Sequence, residues 1–214
     1  RESPIHHTKE SIFGAYWSIA SYKEIVEIEA LPQLYSSDME RGGVSLVDAD
    51  FAAPQADAAT IEANRMEMFI AMDPPIHAEK RRVVAPAFTP SEITRLADAI
   101  RARTAAKLDS LPRGEVFNWT KEVSISLTTD MLAILFDFPW EDRHKLHEWS
   151  DAITDLDLIR DRPQERQIMM FEMAMKFFQL WQERVEADPA PDLLSRMIHS
   201  NALSKMEQRE FIGN

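Results

Sequence analysis

The chain has no cysteine and only five glycines among 214 residues, and each scarcity removes a class of chemistry. Without cysteine there is no disulfide framework, and no thiolate from these residues to hold a metal. Five glycines provide no loop of the kind that cradles phosphates, and no Gly-x-Ser-x-Gly elbow is present to expose a serine nucleophile. Cations are outnumbered, with 24 Lys and Arg against 36 Asp and Glu and a net charge of −12. That balance argues against nucleic acid or an anionic membrane as main partner, since both need a basic footprint. No apolar run approaches the roughly 18 residues of a membrane span, and the opening Arg1-Glu-Ser-Pro-Ile-His-His7 has no signal-peptide character. The expected location is therefore cytoplasmic. Two histidine pairs, His6 with His7 and His144 with His147, invite a metal, yet no carboxylate or cysteine spacing completes a zinc site.

What remains is a chain that is 45% hydrophobic and 28% charged, long enough to bury a sizeable core in one domain. The pattern is mainly helical. Tyr16–Ile19 suits a strand, Ser21–Ala30 a short helix, Leu34-Tyr35 a second strand, and Gly42-Gly43 a turn. From Val44 to Met68 the period is lost, and a connection of that length is usually functional or mobile. Thr89-Pro-Ser-Glu92 is a capping box with proline at the first helical position. Long helices are expected at about 90–111, 119–136, 140–157 and 165–187, with a brief strand at Val116-Phe117. In the last of these helices Glu172, Lys176, Gln179, Glu183 and Glu186 draw one solvated stripe on an otherwise apolar cylinder rich in Met and Phe. Asp192–Ile198 reads as a short helix, and Ser204-Lys-Met-Glu207 opens a final one. The chain begins without Met and stops at Ile212-Gly-Asn214 inside that helix, so it is expected to be a fragment cut at both ends.

The stretch Ala71–Arg82 carries the chemistry. Asp73 is placed to cap the first N–H groups of a helix, and Pro74 suits the first helical position. His77 and Arg81 are four apart, so both leave one face and can reach a single anion together. The same spacing suits an ordinary amphipathic helix with a solvated basic end. From His77 to Lys107 seven cations stand against three acidic residues, a basic island on an acidic chain.

The whole phrase from Phe69 to Pro90, Phe-Ile-Ala-Met-Asp-Pro-Pro-x-His-x-x-x-Arg-Arg-x-Val-x-x-x-Phe-Thr-Pro, resembles the C-helix region of bacterial cytochrome P-450 enzymes, the haem-thiolate monooxygenases. Thr128–Arg143 and Trp149-Ser-Asp151 resemble the E and F helices of the branch that hydroxylates medium-chain alkanes. The resemblance implies a mainly α, cytochrome P-450-like fold with a small N-terminal β-sheet, truncated at the start of the I helix. Residues 1–214 would be the N-terminal part of a single domain, with a B–C loop at about 44–72, a C helix at about 74–86 and F and G helices at about 140–187. It puts His77 and Arg81 on a haem propionate and Met68, Phe69, Ile70, Leu156 and Leu158 around an apolar substrate. Lys80 and Arg82 would meet an acidic ferredoxin that delivers electrons for O2 activation. The cysteine that ligates haem iron would lie beyond Asn214, so the expected enzyme, hydroxylating the terminal carbon of a medium-chain alkane or fatty acid, would be inactive as this piece alone. A reading from another class stays open: a non-catalytic helical module holding a lipid or peptide in a Met-rich cavity.

Overall fold

The computed structural model describes residues 3–11, 14–38, 41, 43, 68–200 and 208–213. The connection expected from Val44 falls almost wholly outside them, as do Gly42 and the capping box at Ser204. The chain divides into two compact units, Arg1–Glu79 with Glu207–Asn214, and Lys80–Met206.

In the first unit, β1 (Ile5–Thr8) pairs antiparallel with β2 (Tyr16–Ile19), His7 facing Trp17 with ring centroids 4.8 Å apart. β2 occupies the predicted residues, but its partner is the N-terminal segment. Leu34 and Tyr35 are not a strand: both N–H groups donate to the Leu31 carbonyl at 2.9 Å, because the end of α1 (Tyr22–Glu29) turns the chain back and engages them locally. After the 3₁₀ turn Phe69–Ala71 comes α2 (Ile76–Val84), which starts later than Pro74. Asp73 and Pro74 each precede a proline, and that position is driven away from the α region, so the helix begins only after Pro75. The division between the units falls within α2. Gln208–Gly213 is a further short helix of the first unit.

The second unit follows its punctuation closely. α3 (Pro90–Asp109) starts on Thr89, whose hydroxyl accepts from the Glu92 N–H at 3.4 Å. Gly114, at φ +77°, turns the chain, and Val116 stands fully exposed with no strand formed at 116–117. Two β-favouring residues make a strand only beside an edge that takes their main-chain groups. Asn118 accepts from the Lys121 N–H at 3.0 Å and opens a π-helical turn, Thr120–Ile125, running into α4 (Ser126–Phe136). The predicted continuous helix over 140–157 is instead a 3₁₀ turn at Trp140–Asp142, α5 (His144–Thr154) and α6 (Leu156–Arg160). The break is at Asp155, whose backbone is extended and whose carboxylate accepts from the N–H groups of Asp157 (2.8 Å) and Leu158 (3.3 Å). A side chain that caps a new helix competes with continuation of the old one.

α7 (Pro163–Val185) is the axis of this unit, packed by α5, α6 and α8 (Leu193–Ile198). Phe138, Trp149 and Phe177 form its aromatic centre, with centroids 6.0–6.3 Å apart, and Trp149 is 2% exposed. The polar stripe of α7 holds at Glu172, Gln179 and Glu183, whereas Lys176 folds onto Asp142 at 2.8 Å. The rest is not wholly covered, since Ile168 and Phe171 are about two-thirds exposed.

Three helices meet at Trp140. The guanidinium carbons of Arg103 and Arg143 lie 4.0 and 4.2 Å from its ring centre, and Asp130 accepts from Arg143 at 2.7 Å while facing Arg103 at 4.0 Å. Asp130 is the counter-charge that lets two cations share one indole. Replacing Asp130 by Ala is expected to destabilise the folded protein by about 1.5–3 kcal/mol, read as a lowered urea midpoint at unchanged slope.

Candidate cofactor-anchor site

α2 sets the candidate donors. His77 is half-buried in its first turn, its N–H bonded to the Asp73 carbonyl at 3.2 Å and its ring 6.2 Å from that of Phe69, tilted by 31°. Arg81 follows four residues later and is exposed. Neither side chain makes a hydrogen bond or ion pair with another described residue. An imidazole and a guanidinium one turn apart, without acceptors among the described residues, are the donor set a carboxylate needs, and they fit a haem propionate.

The basic island is narrower than the count of charges implies. Arg95 pairs with Glu92 at 2.9 Å, Arg101 with Asp98 at 3.2 Å, Lys107 with Glu122 at 3.7 Å, and Arg103 is committed to Asp130 and Trp140. Of the two proposed docking cations, Lys80 is half-buried and Arg82 exposed.

Among the apolar candidates, Met68 and Phe69 are half-buried beside the exposed Ile70, all three at one turn of the first unit. Leu156 and Leu158 belong to α6 of the second unit, Leu156 exposed and Leu158 only 5% exposed. His6 and His7 lie on β1, the latter against Trp17, while His144 contacts the Glu141 carbonyl and His147 faces Asp151 at 3.4 Å. Among the described residues no three His, Cys, Asp or Glu are grouped to hold a metal, and no helix is long and apolar enough to cross a membrane.

Asp73 does not cap α2. Its carboxylate instead accepts from the Ser36 hydroxyl at 2.6 Å and the Ser37 N–H at 2.9 Å, with Arg41 at 4.0 Å. The serines were missed at sequence level. Ser36-Ser37-Asp38 carries a turn signal, but nothing in it names a partner 36 residues away.

No family model matches the chain. Among curated proteins it is similar over its whole length to linalool 8-monooxygenase of Pseudomonas putida, at 28% identity and covering 52% of that protein. It is 31% identical over 158 residues to the putative cytochrome P-450 126 of Mycobacterium tuberculosis, covering 69% of this chain and 34% of the relative. Among solved structures it resembles cytochrome P-450-153 from Novosphingobium aromaticivorans, with TM-score 0.84, 44% identity, and coverage of 100% of this chain and 51% of the other. CYP153D17 from Sphingomonas sp. PAMC 26605 gives TM-score 0.84 at 48% identity, covering 99% and 51%. The chain thus spans about half the length of the linalool 8-monooxygenase and of both these structures.

Hydrogen bonds from Ser36 and Ser37, with Arg41 nearby, hold the Asp73 carboxyl below its ordinary value of 3.8. A carboxylate lowered on folding contributes stability that is complete above its unfolded pKa and is lost as pH falls through the folded one. Stability should therefore fall more steeply with acid below pH 3.8 in the parent than in Asp73→Asn, which has no proton to take up at this position. Urea midpoints measured against pH check this.

Proposed function

We propose, for a chain that belongs to the cytochrome P-450 family and matches the N-terminal half of its members, that residues 1–214 form the cofactor-anchoring and pocket-walling part of a haem-dependent monooxygenase. The observation that carries this reading is the pair His77 and Arg81, one turn apart on α2 and without protein acceptors among the described residues. Haem bound through a cysteine thiolate supplies oxygen activation: one atom of O2 enters a substrate C–H bond and the other leaves as water, with two electrons and two protons consumed. With no cysteine in this chain, the thiolate belongs to a part of the enzyme outside residues 1–214, and these residues alone are inactive. His77 and Arg81 hold the cofactor by a propionate, neutralising its charge and fixing its orientation.

The substrate is apolar. Met68, Phe69 and Ile70 offer it flexible and aromatic surface. A relative named for linalool supports an apolar molecule, and the resemblance of Thr128–Arg143 to the alkane-hydroxylating branch supports the terminal carbon of a medium-chain alkane or fatty acid.

In the holoenzyme, reduction under carbon monoxide should give the red-shifted band of thiolate-ligated haem. Arg81→Ala and His77→Ala should each weaken haem retention by about 1.5–3 kcal/mol, measured as faster transfer to apomyoglobin. A band at the position of a histidine-ligated haem, or both variants holding haem as the parent does, overturns the reading.

Electrons reach the haem from an acidic ferredoxin that docks at Lys80 and Arg82, whose charge steers the encounter on an otherwise acidic chain. Reversing both to Glu should slow reduction by such a ferredoxin at low salt, with the difference closing as salt screens it. Equal reduction rates at every ionic strength, with haem content intact, would remove Lys80 and Arg82 from the docking surface.

A further inference from the structure

We propose that Asp73 is a positioning residue for the cofactor anchor, tying the start of α2 to Ser36 and Ser37 so that the His77 imidazole is held ready for its carboxylate ligand. The inference rests on His77 binding the propionate, and goes beyond it by assigning a residue that touches no cofactor. Both oxygens of Asp73 are engaged away from its own helix, Oδ2 by the Ser36 hydroxyl and Oδ1 by the Ser37 N–H. The serine is itself oriented. Its Oγ accepts from the Asp38 N–H at 3.0 Å, which leaves its single proton directed at Asp73. The Asp73 side chain is 18% exposed, so these bonds form largely out of water, where they hold geometry firmly.

Asp73 reaches His77 through the main chain. Its carbonyl accepts from the His77 N–H at 3.2 Å and so forms part of the first turn of α2. An azimuthal slip of one residue at a helix start swings every following side chain by about 100°. The carboxylate pins Asp73 on one side, and the Phe69 ring stands near the imidazole on another. At the start of α3 the Thr89 hydroxyl turns onto the Glu92 N–H, whereas the Asp73 carboxylate turns away from α2. Asp73 leaves that role unfilled and makes a long-range tie instead.

The test is a double-mutant cycle on the rate of haem transfer from the holoenzyme to apomyoglobin. Asp73→Asn leaves one acceptor oxygen for two donors, which loosens the tie with little change in volume. With His77 present it should speed haem loss roughly threefold to tenfold, and in a His77→Ala background it should add almost nothing, because coupled residues are not additive. Ser36→Ala, which keeps the carboxylate, should give a smaller factor with the same dependence on His77, and it carries the cycle if Asp73→Asn fails to take up haem. Equal factors with and without His77 mean that Asp73 is a general brace, and overturn the positioning role while leaving the anchor intact. A His77→Ala variant that loses haem no faster than the parent defeats the anchor reading itself, and the positioning role with it.

Discussion

The second unit depends on one corner, the reversal at Asp137. There α4 ends in the left-handed conformation, φ +48°, and the next N–H, that of Phe138, returns to the Ala133 carbonyl at 2.8 Å. The turn drives Phe138 inward, where it meets Trp149 of α5 and Phe177 of α7. An L-residue at positive φ is unfavourable unless neighbours hold it. Here Arg184 does so from α7, donating to the carbonyls of Phe136 (3.2 Å) and Asp137 (2.7 Å) while its Nε faces Asp192 at 3.4 Å. One guanidinium therefore joins the end of α4, the core helix α7 and the cap of α8. A buried Arg is costly unless its donors are satisfied, and five N–H groups in a planar fork let it serve three elements at once.

The parts of this fold legible in the sequence are those whose cause is local. Thr89-Pro-Ser-Glu92 begins a helix because the hydroxyl and the proline act within four residues, and Asp192 does the same for α8, accepting from Ser195 at 2.9 Å. Tyr16–Ile19 was legible as a strand, but not its partner, since pairing is a property of two segments. Leu34-Tyr35 and Val116-Phe117 have strand-forming residues but pair with no described strand, and composition cannot distinguish that case. The break at Asp155 has a local cause that was readable in principle. An Asp followed two and three residues later by free N–H groups is a cap wherever the chain stops being helical, and the apolar period through 140–157 outweighed it.

For the site, spacing disclosed which side chains share a face but not what each one binds. His77 and Arg81 were placed together by the helical period alone, and the structure adds that no described protein group takes their donors. For charge the opposite held: seven cations along one stretch read as a basic island, yet among the described residues at least four have acidic partners, Glu92, Asp98, Asp130 and Glu122. Two of those partners come from the same helix and two from later elements, so a count along the chain overstates the field that a partner would meet.

The phrase Asp73-Pro-Pro75 shows how one short motif divides its work between levels. The two prolines act on the backbone, disfavouring the α region at Asp73 and Pro74, and α2 begins only at Ile76. Because the helix begins after them, Asp73 sits too early to cap it in the usual way with its carboxylate. That carboxylate is released for Ser36 and Ser37, while the Asp73 carbonyl still receives the His77 N–H. A capping Asp and a tethering Asp are identical in sequence, and only the position of the first helical residue decides between them. The displacement by the prolines therefore converts a local cap into a long-range contact, and places that contact one helical turn from the imidazole it steadies.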